Sequence, residues 1–181
     1  MYKRQCRTVP TRPDANIVQV RPEQPSDTST IRTLVTAAFG QPNEANLVDL
    51  IRDRGEALIA LVATIEDQPV GYVLASPIHI DETDGNYLGI APLAVSPEQQ
   101  GRGVGTQLMH AAIEQAGADG ADALFLLGNP DYYSRFGFRQ SHVANEYGAT
   151  SAFMHLELSP GCLRDIRGKA RYVSAFSDSA T

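Results

Sequence analysis

Apolar and polar positions along the 181-residue chain fall into blocks whose period switches between two and about three and a half. Ile17-Val18-Gln19-Val20-Arg21 alternates before Pro22, which predicts a first strand. Ile31, Leu34, Val35 and Ala38 recur at helical spacing, with Ser26 or Asp27 placed to cap the start. Gly40-Gln41-Pro42-Asn43 breaks that helix, and a second is predicted from about residue 44 to 55 with Leu47, Leu50 and Ile51 inward. Two Val-, Ile- and Leu-rich runs, 57–65 and 70–80, flank a short polar link and predict a hairpin. A polar loop leads into the apolar run 87–95. Beyond it, Val104, Leu108, Ala111, Ala112 and Gln115 trace a helix that Gly117 and Gly120 end. Residues 123–127 are continuously apolar, the pattern of a strand buried on both faces. A tight turn and about two turns of helix are expected over 128–138, and 151–158 alternates again as a final strand. Residues 1–16 lack periodicity and read as a loose arm. The basic tail 159–181 carries Leu163, Ile166, Tyr172 and Phe176, expected to pack back on the body.

Chemistry concentrates where the apolar run ends. Leu93-Ala94-Val95 stops at Ser96-Pro97, and a polar elbow delivers three alternate glycines, Gly101, Gly103 and Gly105, into the following helix. Glycines let backbone approach a ligand closely, and a helix N-terminus presents free N–H groups and the positive end of its dipole. The stretch therefore predicts an anion cradle suited to a pyrophosphate. A dinucleotide fingerprint would need glycine where Thr106 stands, and a P-loop would need a Gly-Lys pair that is absent here. An unliganded glycine-rich turn is the plain alternative.

Composition narrows the setting. With 43% apolar and 20% charged residues the chain is neither disordered nor fibrous, and its length fits one domain. The longest nearly uninterrupted apolar run, 57–65, falls far short of the roughly 20 residues of a membrane span. Lys3, Arg4 and Arg7 have no apolar region behind them, so no signal peptide is read. Cys6 and Cys162 stand alone, as reduced thiols of a cytoplasmic protein do. Net charge is −6, but residues 22–159 hold 18 acidic against six basic side chains. A body near −12 argues against nucleic acid as a partner and would draw in a cationic amine, although plain solubility explains it equally.

Two motifs together carry a resemblance. Gln100-x-x-Gly103-x-Gly105 follows a Val-Ser-Pro strand end, and one helix and one strand later comes Tyr133-Ser134-Arg135-Phe136-Gly137-Phe138, of the form Tyr-x-x-x-Gly-Phe. The pair resembles the GNAT superfamily of acyl-CoA-dependent N-acyltransferases over about residues 17–158. Gly128-Asn129-Pro130 before the second motif, and 152–154 and 158–161 after it, are most similar to the YhbS-like branch. The resemblance implies an α+β fold in α/β/α layers, with a mixed, mostly antiparallel central sheet flanked by helices. It implies a domain over 17–158, with 159–181 as an extension packed on it.

The implied activity is acetyl transfer from acetyl-CoA to a primary amine by direct attack, the acceptor being a small molecule or a peptide. The oligomeric state stays open between monomer and homodimer. In that reading the Leu93, Ala94 and Val95 backbone holds the pantetheine, and the Val95 N–H meets the thioester carbonyl. Gln100, Gly101, Arg102, Gly103, Val104, Gly105 and Thr106 hold the pyrophosphate, and Asn129 is a further coenzyme contact. Tyr133 faces the leaving sulfur, while Tyr132, Phe136 and Phe138 read as packing aromatics. Many members carry an Asn seven residues before the tyrosine, where this chain has Leu126, so contacts of that Asn do not transfer. Glu44 is the best carboxylate candidate for a general base, although complementing the helix dipole is the stronger reading of that residue, and His79 or a water chain are the alternatives. No metal is implied. The rival readings are a domain that binds acyl-CoA without turnover, an enzyme using a longer acyl donor and, least favoured, a Rossmann-type nucleotide fold.

Overall fold

A computed structural model describes residues 17–148 and 151–178. The first strand β1 (Gln19–Pro22) is followed by helices α1 (Thr28–Phe39) and α2 (Asn43–Asp53). Strands β2 (Ile59–Ile65), β3 (Gln68–Ile80) and β4 (Tyr87–Val95) come next, then α3 (Val104–Ala118) and β5 (Ala123–Leu127). The remainder comprises α4 (Pro130–Tyr133), β6 (Arg139–Gln140), β7 (Ala144–Asn145), β8 (Phe153–Glu157), β9 (Lys169–Tyr172) and α5 (Ala175–Asp178). The sheet runs β1-β2-β3-β4-β5-β8-β6, antiparallel along this path except for the parallel β4/β5 pair. This is the layered, mostly antiparallel α+β architecture that the resemblance implied.

Both faces are covered. Ile31, Leu34 and Val35 of α1 and Leu47, Val48 and Ile51 of α2 bury against Val62, Tyr72, Leu74 and Ala94 on one face. On the other, Val104, Leu108, Met109, Ala112 and Ala116 of α3 pack on Leu61, Val73, Ile90 and Leu124. Neighbouring β5 residues point to opposite faces, Leu124 and Leu126 toward α3 and Ala123 and Phe125 away, which is why that strand reads as a continuous apolar run. Gly71 brings α3 close. A Cβ there would lie 2.8 Å from both Leu108 Cδ1 and Val104 Cγ1, so the start of α3 sits directly on β3.

Three departures from the pattern have physical causes. The β2–β3 hairpin closes on Glu66 and Asp67, both at positive φ (49° and 63°), so β3 begins at Gln68 inside the expected link. Asp27 precedes α1 but does not cap it through its side chain; the carboxylate accepts from Arg21 at 2.7 and 2.9 Å and from the Gln24 N–H at 2.8 Å. The tail contributes a strand as well as packing. Ile78–Ile80 outrun β2, and β9 pairs with that bare edge. Leu163 and Tyr172 are buried there among Ile78, Phe125 and Phe153. The Cys162 thiol, pushed up to about 11 chiefly by burial and then by Glu157 and Asp122, keeps its proton. Cys6 and the 1–16 arm lie outside the described residues. Among those described, no helix is long and apolar enough to cross a membrane.

Candidate active site

Strand β4 is built to leave one edge bare. Its ladder with β3 slips by one residue at Ala91–Pro92, where proline has no N–H to offer. The slip reverses which residues face α3: Leu88 and Ile90 before it, Leu93 and Val95 after it. On the other side, pairing with β5 ends at Gly89/Phe125, and β4 runs on alone to Val95 while β5 continues only with β8. Ser96 N–H donates to Val70 O at 2.9 Å, so by the alternation of antiparallel ladders Ala94 also turns its N–H and C=O toward β3. The N–H groups of Leu93 and Val95 consequently point into the gap left by β5.

The glycine loop closes the end of that gap. After a single 3₁₀ turn (Pro97–Gln99), Gln100 reaches back and its Nε2 donates to Val95 O at 3.1 Å. Gly101 and Gly103 take left-handed conformations (φ 74° and 85°), and Gly103 is the N-cap of α3. The N–H groups of the first turn of α3, from Val104 onward, have no carbonyl of their own helix to meet. A cleft of about 470 Å³ opens at this point, lined by Leu93, Val95, Gln99, Gln100, Gly101, Gly103, Val104, Gly105 and Thr106, together with Tyr132 and Arg135.

Eight of the residues expected at the site line this cleft, but five do not, among them Tyr133, which packs beside Tyr132 and is not part of the wall. Ala94 is 1% exposed and turns its side chain into the α1/α2 face. Arg102 is exposed and is not in the cleft wall. Asn129 instead caps α4, its side-chain oxygen accepting from the Asp131 N–H at 2.9 Å. Glu44 lies in the first turn of α2, beyond the opposite face, with Gln41 Nε2 at 3.3 and 3.4 Å from its carboxylate oxygens. Leu126 is a core residue under α3 and is not part of the cleft wall.

Three wall residues were not expected: Gln99, Tyr132 and Arg135. Arg135 follows Tyr132 by three, the helical spacing that stacks one side chain over another, and its guanidinium carbon lies 4.7 Å from the Tyr132 ring centre. That spacing is visible in the residue order alone. Tyr133 lies edge-on to Tyr132 at 4.9 Å and packs near Phe136 and Phe138. Burial, and secondarily Tyr132, pushes its hydroxyl up to about 12, so it is a hydrogen-bond donor and not a ready acid.

A bare strand edge and a left-handed glycine loop opening a helix meet at this cleft, beside a tyrosine pair. Comparison gives the class. Residues 28–138 match the acetyltransferase (GNAT) family model. The N-acetyltransferase YhbS of Escherichia coli is 33% identical over 163 residues, 87% of this chain and 98% of YhbS. The structure of YhbS in complex with CoA superposes with a TM-score of 0.87 at 32% identity, covering 92% of this chain and 95% of YhbS. A GNAT acetyltransferase from Brucella melitensis in complex with acetyl-CoA gives 0.77 at 30% identity, covering 88% of this chain and 98% of its own. The chain belongs to the GNAT family of acetyltransferases.

Proposed function

We propose that this protein transfers an acetyl group from acetyl-CoA to a primary amine by direct attack. The observation that carries the reading is the early end of the β4/β5 ladder, which leaves the Val95 N–H facing a gap that opens on the glycine loop. The left-handed Gly101 and Gly103 and the unpaired first turn of α3 suit the coenzyme diphosphate, a dipole contribution of about 0.3–1 kcal/mol before any side chain adds to it. Leu93 and Val95 would guide the pantetheine arm along the bare edge, as a strand would guide its neighbour.

The neutral amine adds to the thioester carbon, and the Val95 N–H receives the oxygen as it becomes anionic. One preorganised donor of this kind is worth about 3–4 kcal/mol. Collapse re-forms the carbonyl and breaks the C–S bond, so the electron pair leaves on sulfur. Tyr133 donates a hydrogen bond to that thiolate and keeps its own proton. Full transfer from a hydroxyl at about 12 to a thiolate of ordinary pKa near 8.5 would run uphill by about 5 kcal/mol. Glu44 is not part of the cleft wall, so the amine proton goes to water in the gap and no side-chain base is assigned.

The deciding experiment mixes the full chain with acetyl-CoA and a panel of amines and follows free thiol. Amine-dependent thiol release supports the reading. Tight acetyl-CoA binding with release no faster than background would make the domain a binder without turnover.

A further inference from the structure

Resting on the acetyl-CoA reading, we propose that Arg135, braced on Tyr132, is the cation that meets the coenzyme diphosphate, and that Arg102 in the glycine loop is not. Arg102 belongs to the loop in sequence but lies outside the cleft wall, whereas Arg135 forms part of it together with the first turn of α3. Its guanidinium sits 4.7 Å above the Tyr132 ring, a shelf that fixes the direction of the planar fork. The shelf itself is tied to the cradle. A Cβ on Gly105 would lie 2.8 Å from the Tyr132 hydroxyl oxygen, so that oxygen reaches the start of α3 only because Gly105 has none.

Ion pairing leaves both Arg135 and Arg102 without a carboxylate among the described residues, so position in the cleft separates the two. Arg32, Arg52, Arg54 and Arg139 each meet a carboxylate. Arg135 meets none among the described residues, and it is the only charged side chain in the cleft wall. A stacked arginine without an acidic partner, sharing a cleft with the first turn of a helix, is suited to a phosphate group, which it can grip with two parallel N–H donors. The Tyr132 hydroxyl is a second donor at the same spot.

Titration calorimetry of the full chain with CoA and with dephospho-CoA, which keeps the diphosphate but lacks the 3′-phosphate, tests this. Arg135→Ala should weaken both ligands alike, by roughly 10- to 100-fold, the worth of a charge-assisted contact. Arg135→Lys should recover part of the loss, since charge returns without the fork. Arg102→Ala should stay within about twofold, as expected of an arginine outside the cleft wall. Arg135 is exposed, so a thermal melt of each variant should match the parent. Parental affinity in Arg135→Ala overturns the proposal. So does a loss confined to CoA, which would place Arg135 on the 3′-phosphate. A parent chain that binds neither ligand removes the acetyl-CoA reading itself, and is told apart because the failure precedes any substitution.

Discussion

The ring of Tyr133 rests against the Cα of Gly128: a Cβ built on Gly128 would fall 2.2 Å from Tyr133 Cε2 and 2.8 Å from Cδ2. Gly128 is not at positive φ, so its backbone tolerates alanine and only the ring contact forbids it. Gly128→Ala should therefore displace the Tyr133 hydroxyl without unfolding the turn. Misplacing a group by about 1 Å can cost about a hundredfold in rate. We expect kcat to fall by roughly tenfold or more, with a smaller change in KM for acetyl-CoA. Steady-state kinetics at saturating amine checks this, and an unaltered kcat would mean that the position of Tyr133 is irrelevant to the chemistry.

Removing the hydroxyl itself separates stabilisation from packing. Tyr133→Phe keeps the contacts with Tyr132, Phe136 and Phe138 and loses one hydrogen bond to a developing thiolate. Such bonds contribute about 1.5–3 kcal/mol, so kcat should drop roughly 10- to 100-fold with little change in KM for acetyl-CoA. The parent should also show no alkaline loss of kcat through about pH 10, where an ordinary tyrosine is half ionised, because burial holds the Tyr133 proton to about 12. An alkaline limb near pH 10 that vanishes in Tyr133→Phe would contradict the assignment.

Gly103 offers a contrast between two substitutions at one backbone. Its φ of 85° penalises any side chain by about 1–2 kcal/mol, yet nothing lies within 4 Å of an added Cβ. Gly103→Ala should thus cost modest stability and leave coenzyme A binding measurable. Gly103→Glu adds the same strain plus a carboxylate at the mouth of the cradle, and should abolish binding. Both should melt cooperatively, because α3 is held by Val104, Leu108, Met109, Ala112 and Ala116 and not by the loop. Equal affinities in the two variants would remove the anion from the argument.

How much of the fold and the site is legible in the residue pattern depends on the range of the interactions concerned. The long periodic segments, the doubly buried β5 and the strand–glycine–helix passage follow from local pattern, while the fold class comes through the resemblance that the two motifs carry. The gap beside Val95 does not. It depends on where β5 stops pairing with β4, and a tertiary divergence leaves no mark on either strand's residues. The β9 strand is hidden for a similar reason, since its partner is the stretch of β3 that outruns β2. Tyr132 and Tyr133 are neighbours about 100° apart on a short helix, and only the helix's orientation tells which one faces the cleft. Glu44 is plausible as a carboxylate in a first helical turn, but the sheet stands between α2 and the cleft, a relation that residue type cannot reveal.

Away from the site, a buried histidine sets a pH dependence of stability. His155 on β8 is 1% exposed, and its Nε2 accepts from Arg139 Nε at 2.9 Å. The ring is therefore neutral, with its proton on Nδ1, which donates to Ser141 Oγ at 3.0 Å. Burial first, then Arg139 and His142, push its pKa down to about 4, against the opposing pull of Glu157. A freed histidine titrates near 6.5, so between about 6.5 and 4 the unfolded chain binds a proton that the folded chain refuses. This contribution is complete above pH 6.5 and is lost as pH falls toward 4, on the order of 2–3 kcal/mol over the window. Urea unfolding from pH 7.5 to 4.5 should show that decline in the parent. His155→Gln can still accept from Arg139 and donate to Ser141, so it should flatten the curve. If parent and variant keep the same slope, the titration belongs to other groups and His155 is not held neutral by its surroundings.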